Sequence, residues 1–264
     1  MHIEDFKSEP IFSIPYRGID TDGIIRDHEY PVFECHASGL PEGIEAMVCT
    51  SDLQGMYYSE SRKKNELAGI HVAEEMALFL EIERKIDPKR TLAILAGDFF
   101  CQPDLSGRGG FGFVDEVWYA FASAFGYVAG VTGNHDNFRT NFQKVISNSH
   151  LLHDEARHTQ ELIIAGIGGI IGQSTKRPLR HAEEDFKAMF YRNLATRPDI
   201  LILHENPESF DPSFAHLSKL GTNPATSPLI VFGHRKLPEP LIELGNGMQL
   251  LNVNERVVII RQEA

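Results

Sequence analysis

The chain is poor in the residues that staple a protein or anchor it in a membrane. Its 264 residues include three cysteines and one tryptophan. Cys35, Cys49 and Cys101 are an odd number with no C-x-x-C spacing, which argues against a disulfide framework or a cysteine zinc site and for reduced, partly buried thiols. No apolar run approaches the ~18 to 20 residues that a membrane-spanning helix needs. Met1-His2-Ile3-Glu4-Asp5 also lacks the basic and apolar regions of a signal peptide, so a cytoplasmic protein without membrane contact is expected. Basic charge is scarce as well. A formal net charge of -12 disfavours long nucleic acids as partners, because their recognition needs a basic footprint. Internal repeats and low-complexity tracts are absent. The glycine-rich stretch from Gly166 to Gly172 places Ile171 where a dinucleotide fingerprint needs its third glycine.

What remains is an ordinary folded composition, with 42% hydrophobic and 23% charged residues and 17 phenylalanines. This length fits one large domain with a real core. Residues 1–44 are punctuated by Pro10, Pro15, Pro31 and Pro41, with extended candidates at 10–16 and 30–37, and are expected to form an N-terminal extension packed on the main body. The main domain is then 45–264. There, short apolar runs alternate with helical patterns, which defines an α/β class. Strands are expected at 45–51, 91–96, 127–131, 161–167, 199–203, 228–232, 248–253 and 256–260, and helices at 66–86, 115–125, 138–147 and 182–195.

Acids, histidines and amides fall just past the C-terminal ends of five of these strands. Asp52 and Gln54 follow the first, Asp98 the second, and Asn134, His135 and Asp136 the third. His204 and His234 follow those at 199–203 and 228–232. In open α/β sheets the carboxyl ends of the strands face the ligand crevice, so five segments deliver polar groups to one edge. Singly, each such residue is more often a turn former, a helix cap or a satisfied histidine. Together, mixed Asp, Asn and His donors suit a divalent ion such as Mn, Fe or Zn.

Ser51-Asp52-Leu53-Gln54, Gly97-Asp98, Gly133-Asn134-His135-Asp136, Leu203-His204 and Gly233-His234-Arg235-Lys236 follow one another in the order of a known pattern. From about residue 45 to 261 the chain resembles the calcineurin-like metallophosphoesterases, whose motifs are D-x-H, G-D, G-N-H-D/E, a histidine after a strand, and G-H-x-H. The resemblance implies a four-layer sandwich of two packed mixed β-sheets flanked by helices. It also implies a metal-dependent phosphoesterase, phosphodiesterase or phosphatase, acting on a small phosphorylated substrate. In that reading Asp98 bridges two metal positions, and Asn134, His204 and His234 complete the second. His135 stands beside the scissile phosphate, and Asp136 orients its imidazole.

The first position would normally combine Asp52 and Asp98 with two histidines, and here those histidines are replaced by Gln54 and Lys236. Residues two apart in an extended segment point the same way, so both replacements still aim at the site. A glutamine oxygen ligates weakly and an ammonium not at all, which predicts one metal ion per chain. Lys236 is then expected to pair with Asp52 and to present its charge to phosphate. The competing expectation is a catalytically silent member of the fold that serves as a binding or scaffold module. Arg108, in the glycine-rich segment 102–113, and Arg139 are further phosphate-binding candidates.

Overall fold

The computed structural model describes residues 1–107, 110–139, 146–159, 161–172, 179–220 and 227–262. Its centre is a pair of mixed β-sheets. The larger has ten strands among the described residues, running Ser149–Leu151, Tyr127–Gly130, Thr91–Leu95, Ala46–Ser51, Arg256–Gln262, Ile25–Ser38, Phe12–Ile19, Met56–Ser59 and Lys64–Leu67, with His2–Phe6 paired to Ile25–Ser38 outside that path. The smaller runs Glu155–Thr159, Leu162–Ile167, Ile200–Leu203, Leu229–Phe232, Gln249–Asn252 and Leu241–Glu243.

Alternation along each strand explains why the sheets stack. In Ala46–Ser51, Ala46 and Val48 join a core shared with the helices α1 (Ala68–Phe79) and α2 (Asp115–Ala124), while Met47 and Cys49 join a core shared with the smaller sheet. In Ile200–Leu203, Ile200 and Ile202 face that inter-sheet core, whereas Leu201 and Leu203 meet Phe186 and Phe190 of α3 (Glu183–Ala195). A strand buried on both faces reads as an unbroken apolar run, and period 2 divides its side chains between two cores. The result is four layers, helix on sheet on sheet on helix, as expected.

The elements can be compared with the sequence expectations at three places. The helix expected at 66–86 begins at Ala68, because Glu66 pairs with Tyr57 in an edge hairpin, and it ends as a π-helical turn over Leu80–Arg84 followed by left-handed Lys85. Residues 1–44 supply strands to the larger sheet, where Ile25–Ser38 sits between Phe12–Ile19 and the parallel C-terminal strand Arg256–Gln262. The helix expected at 138–147 lies largely outside the described residues.

Candidate metal centre

Five loops at the C-terminal ends of the strands converge where the two sheets meet. Asp52, Asp98 and His234 each leave their strand in the left-handed region, with φ of 56°, 58° and 63°. For non-glycine residues this is strained backbone, held only where the surroundings over-determine it. The surroundings here are hydrogen bonds between the loops. The Asp52 amide donates to the Gly97 carbonyl at 2.9 Å, and Asp52 Oδ2 accepts from the His234 amide at 2.9 Å and from the Ser51 hydroxyl at 2.7 Å. The His135 amide donates to Asp98 Oδ1 at 2.8 Å. Two glycines admit these approaches: a Cβ on Gly133 would lie 1.9 Å from Asp98 Oδ1, and one on Gly233 would lie 2.5 Å from Asp52 Oδ2.

Asp98, His204 and His234 offer three ligand atoms that all lie within 4.8 Å of one another. Of the five expected ligands, these three form the tight cluster. The Asn134 Oδ1 is buried with no hydrogen-bond partner among the described residues. His204 is fully buried. Its Nδ1 donates to the Ala96 carbonyl at 2.8 Å, and its Nε2 faces Asp98 Oδ2 at 3.2 Å. A histidine whose far nitrogen is tied to a carbonyl is oriented and tautomer-fixed for ligation. A carboxylate and two imidazoles that converge in this way fit a cation with oxygen and nitrogen donors.

The electrostatics also favour a cation. Burial pushes the Asp52 pKa up to about 7, a rise that His204 opposes and the like charge of Asp98 reinforces. Burial likewise opposes ionisation of Asp98, yet the His204 imidazole outweighs it and holds that carboxyl below its usual range. Burial disfavours a charged His204, but the Asp98 carboxylate beside it prevails and raises its pKa to about 10, so a proton and a metal ion are competing occupants of Nε2. His234 is pushed down to about 4 by burial and then by the charge of His204, so its imidazole is neutral and its lone pair free at neutral pH.

His135 stands at the mouth of this cluster, with Nε2 3.9 Å from Asp98 Oδ2. Its Nδ1 bonds to the carbonyl of Gly110, and its own carbonyl accepts from the Gly112 amide at 3.1 Å, so the glycine-rich segment holds the ring. Asp136, the residue expected in that role, does not fill it. Its carboxylate accepts four backbone amides instead, those of Asp98 and Phe99 at 2.7 Å, Gly133 at 3.1 Å and Phe100 at 3.2 Å. It fastens the Asp98 loop to the Asn134 loop, and burial followed by the Asp98 charge raises its pKa to about 6.

A cavity of about 680 Å³ opens over the cluster, lined by Asp52, Gln54, Asp98, His135 and His234 together with Lys236 and Glu255. Lys236 reaches the cavity but pairs with Glu255 at 3.5 Å, not with Asp52, whose carboxylate is engaged by Ser51 and His234. Gln54 Nε2 is buried and unpartnered among the described residues. Arg139 lies in a neighbouring cleft, its guanidinium 4.9 Å above the Phe113 ring, and Arg108 lies outside the described residues. Arg235, Asn254 and Glu255 also line the cavity and were not singled out from sequence. Asn254 and Glu255 follow the strand Gln249–Asn252, so the strand-end rule that found Asp98 would have found them too.

The fold and site together define a two-sheet α/β sandwich with a candidate divalent-metal centre at the strand ends. No family model matches the chain, and no curated protein matches it by sequence. Among solved structures, the chain is similar to TT1561 of Thermus thermophilus, with a TM-score of 0.51 and 17% identity over 79% of this chain and 88% of that one. That likeness is one of fold. It is also similar to a phosphatase of Mycoplasma pneumoniae, with a TM-score of 0.44 and 14% identity over 80% of this chain and 72% of that one. Among the described residues no helix is long and apolar enough to cross a membrane.

Proposed function

We propose that this chain is a calcineurin-like, metal-dependent phosphoester hydrolase. It works with one divalent ion, Mn, Fe or Zn, held by Asp98, Asn134, His204 and His234. The observation that carries the reading is the convergence of three ligand atoms, from Asp98, His204 and His234, within 4.8 Å of one another, two of those residues lining an open cavity. When bound, such an ion supplies Lewis-acid charge to a phosphoryl oxygen. The chain's own residues supply the rest. His135, whose Nδ1 hydrogen goes to the Gly110 carbonyl, presents Nε2 to the scissile phosphate, and in its imidazolium form that nitrogen would give its proton to the leaving oxygen. Asp136 fixes the distance between the Asp98 and His135 loops through the four amides it accepts.

Gln54 occupies the altered first position beside Asp52, which acts there by holding the His234 loop. Lys236 is 48% exposed and its partner Glu255 40%, so their pair contributes little and the ammonium is free to swing toward an anionic substrate. The net charge of -12 favours a small phosphorylated substrate over a long nucleic acid, and we place the activity in the cytoplasm. The test is turnover of bis(p-nitrophenyl) phosphate and p-nitrophenyl phosphate by Mn-, Fe- and Zn-loaded protein. Activity that is lost on chelation and restored by metal is expected. No turnover with any of the three ions would contradict the proposal.

A further inference from the structure

A pocket of about 410 Å³ borders the reaction cavity at Lys236, which lines both. Its walls are mostly apolar: Pro31 and Phe33 come from the strand Ile25–Ser38, and Leu237, Pro238 and Pro240 from the segment that follows His234. That segment is fixed in place by the fully buried Asn252. Its side chain accepts from the Leu237 amide at 3.0 Å and donates to the Arg235 carbonyl at 2.9 Å, and its own amide donates to the Pro240 carbonyl at 2.7 Å. The pocket is thus a built concavity of a size that suits a small molecule.

Arg256, only 2% exposed, also lines it, and its guanidinium carbon lies 5.9 Å from the centre of the Phe33 ring in the adjoining wall. A charged side chain is seldom buried this far unless a countercharge pairs with it. Among the described residues Arg256 has no such partner. Its Nε and Nη2 donate to the backbone carbonyls of Asn254 and Leu237 at 3.3 and 2.8 Å, whereas Nη1 makes no hydrogen bond among the described residues and keeps solvent contact. Burial pulls its pKa down to about 10 against the opposing charge of Glu255, which still leaves the guanidinium protonated at neutral pH. Glu255 lines the reaction cavity and not this pocket, so two cations and no carboxylate line the pocket among the described residues of a chain with net charge -12. One guanidinium with an open nitrogen matches a single anionic group, since Lys236 is shared with Glu255. The proline, leucine and phenylalanine walls would leave the further oxygens of a phosphate unpaired, and they suit a hydrocarbon body instead.

Independently of the phosphoesterase reading, we infer that this pocket binds a small organic carboxylate with an apolar body, its anionic group held by Arg256 and its body by the walls that Phe33 and the prolines form. The experiment is calorimetric titration of the full chain with benzoate, acetate and benzyl alcohol, in EDTA so that no metal ion can hold the probe. Wild type should bind one benzoate per chain at least about tenfold more tightly than acetate, which lacks the body, or benzyl alcohol, which lacks the charge. Arg256→Met removes the charge and keeps the length of the side chain, and should weaken benzoate by about tenfold or more. Ser8→Trp narrows the pocket from an exposed position that carries no part of the core, and should weaken benzoate as well. If Arg256→Met fails to fold, as its thermal midpoint will tell, Ser8→Trp decides alone. Loss of benzoate binding in a folded variant supports the inference. Benzoate bound no better than acetate or benzyl alcohol by wild type, or bound with wild-type affinity by every variant that folds, would overturn it.

Discussion

With the His135 Nδ1 hydrogen committed to Gly110, only Nε2 is available to the cavity, and the ring cannot exchange roles by flipping without breaking that bond. His135→Ala is therefore expected to cut turnover by a factor on the order of 10² to 10⁴ while metal content stays near wild type. Its neighbour should behave in the opposite way. Asp136→Ala strands four backbone amides in a buried loop, and at ~1–3 kcal/mol for each unpaired group it should lower unfolding stability by about 3 kcal/mol or more. Urea denaturation of the two variants separates them, since His135→Ala leaves that amide cluster intact. The motif Gly133-Asn134-His135-Asp136 identified both residues as belonging to the site, but the division of labour was not legible. Which atoms an aspartate accepts depends on the fold of a loop that lies far upstream in the chain.

Among the elements, the strands were the most legible part of the molecule. Runs such as 199–203 and 228–232 are short, apolar and β-branched because both of their faces are buried, and the polar residue after each run marks where burial ends. The left-handed backbone at Asp52, Asp98 and His234 left no such trace, because nothing local to those residues demands it. It is imposed by bonds between loops, and the glycines that permit those bonds are part of the candidate metal centre without offering an atom to it. Gly133→Ala should thus reduce metal affinity by at least tenfold, measured by competition with a chromophoric chelator, because its Cβ would displace the Asp98 carboxylate. Wild-type affinity in that variant would show that the Asp98 loop yields freely. The partner of Lys236 was equally invisible, since Glu255 arrives from the turn before the last strand and competes with Asp52 for the ammonium. Lys236→Ala is accordingly expected to leave stability within about 0.5 kcal/mol of wild type, as for other exposed pairs, and to act only on substrate affinity.

For the whole molecule, the decisive feature is that both sheets end at one rim, so residues from position 52 to position 255 meet around a single cavity. The N-terminal segment read as an extension because its prolines and glycines break any pattern, yet its long strand Ile25–Ser38 is hydrogen-bonded on both sides within the larger sheet. That placement carries Tyr16, Asp20 and His28 to a pocket that Asp52 also lines. The central claim concerns the number of ions at that rim: Asp98, His204 and His234 bring three ligand atoms together, and the proposed set adds Asn134 to them, with no ion assigned to the position of Gln54 and Lys236. Anomalous scattering from crystals of the Mn-loaded protein tests it directly. The account predicts one peak per chain, bounded by those four residues. Two peaks of equal height about 3.5 to 4 Å apart, the usual spacing of a two-metal site, or no peak between His204 and His234, would contradict it.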